Sequence, residues 1–184
     1  TSGSGRFDDC VGVDLVSAYP YIMWNLQDIT KGVWIQGSCS ESWWNWIESR
    51  EAYSMGYAEV FVEFEKGLPF YPLVAKTKKG TMAGARIVKG WFTADEIAEA
   101  KKWPHVKFIV GEWIKFAGEE VYPFRPFLET FYSMKKSSEK DSVPYRIAKL
   151  LCNSGYGKLI QCIDGNIGTL YNPMCAAMCT GGTR

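Results

Sequence analysis

Lys149-Leu-Leu-Cys-Asn153-Ser-Gly-Tyr156-Gly157 is the stretch on which the fold turns. In an α-helix, Arg146, Lys149, Asn153 and Tyr156 stand at offsets of three and four and share one face. That face joins two fixed cations, an amide and an aromatic ring. It suits a nucleoside triphosphate, with cations for the phosphates and a flat ring for the base. The Gly155/Gly157 pair is expected to break the helix just beyond it. Taken alone, the same residues read equally well as the solvated face of an ordinary amphipathic helix.

A second segment upstream, Asp14-Leu-Val-Ser-Ala-Tyr-Pro20, changes the balance. Val11-Gly-Val-Asp-Leu reads as a short apolar strand ending in an acid, and a carboxylate there calls for a cationic partner. Magnesium takes one or two carboxylates together with substrate phosphate oxygens. Leu15 adds a backbone carbonyl at the same edge, while Val16, Ser17 and Ala18 can offer N–H groups to phosphate. The plainer alternative makes Asp14 a helix cap and Tyr19 a core residue. Together the segments supply a metal-binding acid and phosphate-binding cations, both of which phosphoryl transfer needs.

The chain has 184 residues, enough to bury a core as one domain or two small lobes. A net charge of +1 gives no global field for nucleic acid, but the cations are grouped. Lys76, Lys78, Lys79, Arg86 and Lys89 occur without an intervening acid, and five more lie between Lys135 and Lys149 among Glu139 and Asp141. Such clusters either track a phosphate backbone or form solvated loops. Six cysteines without a C-x-x-C pair, and one histidine, argue against structural zinc and for reduced thiols. No signal peptide or membrane-length apolar run is visible, so a cytoplasmic protein without a membrane partner is expected.

Outward from the motifs, the pattern is α+β. Ser17–Leu26 reads as a turn entering a short helix, and a further helix is expected around Glu41–Arg50. Tyr57–Glu65 alternates as a half-buried strand, and Leu73–Lys76 reads as another. Thr93-Ala-Asp-Glu96 is a capping box opening a helix that Trp103-Pro104 stops. Val106–Val110 and Glu112–Phe116 read as two strands joined near Gly111. Phe124–Lys136 is an amphipathic helix, and Ser142 or Asp141 caps the helix carrying the opening stretch. Ile167–Leu170 reads as a strand, and Met174–Cys179 starts a helix.

Asp14-Leu-Val-Ser-Ala-Tyr-Pro20 resembles the first polymerase motif of the B-family DNA polymerases, Asp-x-x-Ser-Leu-Tyr-Pro, with Ala18 replacing the usual Leu. Lys149-x-x-x-Asn153-Ser154-x-Tyr156-Gly157 resembles that family's finger-helix motif at every signature position. The order of the motifs and their separation resemble the protein-primed, phage-type branch, as does Tyr171-Asn-Pro-Met174.

The resemblance implies a palm of antiparallel sheet with helices, plus helical fingers. It implies Asp14 as a catalytic, metal-binding aspartate, with the Leu15 carbonyl beside it and Mg2+ or Mn2+ as the metal. Leu15, Ser17 and Ala18 would hold the deoxynucleoside triphosphate, and Tyr19 would be the steric gate against a 2′-hydroxyl. Lys149, with Arg146, would contact the triphosphate. Asn153 would support the nucleotide, Tyr156 would line the nascent base pair, and Gly157 and Lys158 would approach DNA. The implied partners are primer-template DNA, the nucleotide and a terminal-protein primer.

The implied segments are palm 1–24, a palm and insertion region 25–123 (similar to the terminal-protein region), fingers 124–160, and palm 161–184. The third motif, Tyr-x-Asp-Thr-Asp-Ser, is absent, so the expectation is a fragment of a viral or plasmid-borne enzyme acting in the host cytoplasm. Such a fragment is expected to bind nucleotide without completing a two-metal site, and primer extension lost in Asp14→Asn would overturn that. Asp164, in a turn-like Cys-Ile-Asp-Gly-Asn, is no substitute for the missing aspartate. The alternatives are a noncatalytic nucleic-acid-binding or interaction domain on the same scaffold, and a metal-dependent hydrolase using Asp14.

Overall fold

The computed structural model describes residues 17–49, 55–78, 80–82 and 85–183. Asp14, Leu15 and the strand expected around them lie outside the described residues.

Alternation builds the central sheet. In β2 (Gly56–Glu63), Ala58, Val60 and Val62 are buried while Phe61 faces out. This strand pairs antiparallel with β5 (Ile87–Thr93) on one side and β6 (Lys107–Gly118) on the other. β1 (Gly32–Gly37) completes the order β1-β6-β2-β5. α2 (Ser40–Ser49) and α3 (Ala94–Lys101) pack Trp43, Ile47, Ala94, Ile97 and Ala100 against these strands in one core. The capping box forms as read: Thr93 Oγ1 accepts from the Glu96 N–H, and the Glu96 carboxylate accepts from the Thr93 N–H.

The helical part holds α1 (Ala18–Trp24), α4 (Arg125–Ser137), α5 (Val143–Lys158) and α6 (Pro173–Gly182). α4 and α5 pack along each other, and α1 touches α4, α5 and α6. Ser142 caps α5 by accepting from the Tyr145 N–H, and Pro144 sits in the first turn, where a missing donor costs nothing. A second core gathers Ile22 and Met23 of α1 and Leu26 just after it with Met178 and Cys179 of α6, Leu128 of α4, and Tyr57 and Phe116 of the sheet. The Tyr57 hydroxyl donates to the Met174 carbonyl, tying β2 to the start of α6. The whole is α+β, as the pattern implied.

Four expectations are corrected, and one strand was missed. Gly155 and Gly157 do not break α5, which runs through both to Lys158. Packing offsets their poor propensity: a Cβ at Gly155 would come within 3.0 Å of Met23 Cε, so the bare glycine lets α1 seat against the helix. Gly111 does not join two strands but lies inside the single strand β6. The register of β2 shifts between Ala58 and Val60 there, absorbing the irregularity as a bulge. β1 was not foreseen, because this edge strand exposes Val33 and Ile35 instead of alternating cleanly. The expected Ile167–Leu170 strand is instead the short hairpin β7 (Cys162–Ile163) and β8 (Asn166–Ile167), turned by Asp164 (φ 49°) and Gly165 (φ 79°). The expected Leu73–Lys76 strand begins later, as β3 (Ala75–Thr77), which pairs with β4 (Gly80–Met82).

Candidate nucleotide site

The site forms where the start of α1 meets the C-terminal half of α5. Ser17, just before α1, holds a left-handed backbone (φ 61°, ψ 33°), a conformation that costs a non-glycine residue free energy and is concentrated at functional sites. Its carbonyl accepts the Tyr21 N–H, starting the helix. Tyr19, on the first turn, stacks on Tyr156 of α5 with ring centroids 4.4 Å apart and planes 24° from parallel. The two sequence segments that chemistry linked are therefore in direct contact.

Arg146, Lys149 and Asn153 are exposed on α5, while Ala148 and Cys152 form its buried side. Neither Arg146 nor Lys149 has an ion-pair partner among the described residues, so both remain open to an anion. Ala18 is half-buried. Gly157 is exposed and faces open space, and the Lys158 ammonium donates to Gln161 in the following loop. Lys158 thus has a local partner that the sequence did not suggest.

One residue went unrecognised. Lys135, in the last turn of α4, places its ammonium 3.4 Å from the Ser17 hydroxyl. The same charge partly offsets the burial that pushes the Cys152 thiol above its ordinary pKa. The run of cations from Lys135 onward was the sequence signal, but only the contact of α4 with α1 singles out this one. The upstream basic run is correspondingly weaker than it read: Arg86 pairs with Glu63 at 2.8 Å and Lys89 with Glu59 at 3.5 Å. Among the described residues no cluster of three His, Cys, Asp or Glu gathers to hold a metal, and no helix is long and apolar enough to cross a membrane. The described cysteines are all free thiols.

Residues 8–171 match the family described as DNA polymerase type B, organellar and viral. A "Probable DNA polymerase" of Ascobolus immersus is 35% identical over 91 residues, covering 46% of this chain and 7% of the relative. Its counterpart in Neurospora intermedia is 36% identical over 93 residues, covering 49% and 9%. Among solved structures, Phi29 DNA polymerase complexed with primer-template DNA aligns with a TM-score of 0.57 and 20% identity, over 90% of this chain and 32% of that one. The complex of the same enzyme with single-stranded DNA gives 0.52 and 21%, over 85% and 25%. The chain spans less than a tenth of these curated relatives and at most about a third of these structures. At such identities the structural likeness speaks for the fold, and it is the phage-type fold that the motifs resembled. With the family match extending over most of its length, the chain belongs to the organellar and viral type B DNA polymerases.

Proposed function

We propose that this chain is the nucleotide-holding part of a DNA-directed DNA polymerase, which adds deoxynucleotides to a primer 3′-hydroxyl under template direction. The observation that carries this reading is the Tyr19–Tyr156 stack, which joins the first motif to the finger helix. The 3′-hydroxyl attacks the α-phosphorus of the bound triphosphate, and pyrophosphate leaves.

The stacked rings fill the space between α1 and α5, so a nucleotide entering there parts them. Tyr19 then packs under the sugar and excludes a 2′-hydroxyl, and Tyr156 covers the nascent base pair. Lys149, Arg146 and Lys135 neutralise the triphosphate, with Ser17 and Ala18 at its other side. Asn153 supports the nucleotide, and Gly157 allows close approach of DNA, with Lys158 beside it. Asp14 and the Leu15 carbonyl, hard oxygen donors by their chemistry, would hold Mg2+ or Mn2+, which when bound would supply charge neutralisation at the phosphates.

In domain terms, residues 1–24 and 161–184 are palm, 124–160 are fingers, and 25–123 are palm with an insertion that contacts a terminal protein. Primer-template DNA is the polymer partner and the host cytoplasm the working compartment.

A titration of deoxynucleoside triphosphate into the chain, with Mg2+ present, tests the site. Lys149→Ala removes a charge-assisted contact worth about 1.5–3 kcal/mol, a loss of roughly tenfold or more in affinity. Equal affinities for wild type and variant would sink the proposal.

A further inference from the structure

Tyr21 and Trp24 of α1 and Tyr132 of α4 wall a groove of about 460 Å³ that meets the nucleotide site at Ser17 and is floored by Pro20, Leu128 and Cys152. Tyr21 is 59% exposed and Tyr132 49%, so these rings are not core residues. Tyr132 is also a wall of a second groove of about 270 Å³, whose other walls are Lys135, Lys136 and Tyr145. The Lys135 ammonium lies 5.6 Å from the Tyr132 ring centroid. An aromatic slot thus opens beside a cationic one.

That combination has a specific chemical match. Single-stranded nucleic acid is held by aromatic faces that stack its bases and by lysines that follow its backbone. The acid Glu129 on the aromatic wall repels phosphate from that slot and leaves it to an uncharged ring. The phosphate falls instead in the adjoining groove, on Lys136.

We propose that the α1–α4 groove is a stacking slot for an unpaired base of the single-stranded template, with the adjoining phosphate on Lys136. The inference rests on the polymerase reading for its ligand, but its test involves no triphosphate.

A fluorescently labelled oligothymidylate and an abasic oligomer of equal length are titrated into the chain by anisotropy. The expected result is binding of the oligothymidylate about fivefold or more tighter than the abasic oligomer, the effect of one stacked base. Tyr132→Ala should erase that difference, and Tyr132→Phe should keep it. Equal affinities for the two oligomers, or no measurable binding of oligothymidylate, overturn the slot. Should Tyr132→Ala not fold, an iodouracil-substituted oligomer is photocrosslinked to the wild-type chain. Adducts on Tyr21, Trp24 or Tyr132 support the slot, and adducts confined to other residues overturn it. Loss of the Lys149 effect on triphosphate would defeat the nucleotide site and leave these outcomes standing.

Discussion

Tyr19 is 38% exposed on the first turn of α1 with the face of Tyr156 against it, and a small substitution there removes a wall without emptying a core. Tyr19→Ala is therefore expected to leave folding intact and to erode the preference for deoxy- over ribonucleoside triphosphate. The ratio of the two dissociation constants, which should approach one, is the measurement, and an unchanged ratio would remove Tyr19 from the sugar site. The offsets linking Arg146, Lys149, Asn153 and Tyr156 were legible because a helix turns by a fixed angle per residue. The role of Lys135 was not, since it depends on where α4 lands against α1, and no local pattern encodes that. The Tyr19–Tyr156 contact was legible only as complementary chemistry, its geometry being tertiary.

At the scale of elements, α5 carries the most telling glycine. A Cβ at Gly157 would meet nothing within 4 Å, and the residue lies inside the helix. Gly157→Ala should therefore stabilise the chain by about 0.5–1 kcal/mol, read as a higher urea midpoint. Since stability gives no reason for glycine there, the same variant should bind primer-template DNA more weakly. A stabilised variant with undiminished DNA affinity would refute the close approach.

Gly181 presents the opposite case. A Cβ there would lie 2.5 Å from Thr93 Oγ1, where α6 crosses the start of α3. Gly181→Ala should cost about 1–3 kcal/mol through overpacking, and Thr93→Ala about 1 kcal/mol through the lost cap. The double variant should cost less than their sum, because removing the Thr93 hydroxyl makes room for the new methyl. Strict additivity in a denaturation cycle would show that the two do not compete for space. The cap itself was readable, since Thr and Glu three residues apart act within one turn. The glycine opposite it was not, because its neighbour lies in a distant part of the chain.

At the scale of the molecule, the second core sets the alkaline limit. Burial pushes the thiol of Cys175 up to about 11 and that of Cys179 up to about 12 from an ordinary 9.0, and it also raises the Tyr57 hydroxyl. Unfolded, these groups release their protons near their ordinary values, while the folded chain retains them. Their contribution is complete below about pH 9 and is lost as pH rises through 11 to 12. The urea midpoint should fall steadily across that window, and a flat profile would contradict the burial.

The two long strands carry a further consequence. β2 contributes Val60 and Val62 to one core and Tyr57 to the other, and β6 likewise contributes Val110 and Trp113 to one and Phe116 to the other. The strands act as a common spine whose backbone amides belong to both halves at once. The sheet and the helices α1, α4, α5 and α6 should then melt in one cooperative step, with the slowest-exchanging amides lying along β2 and β6.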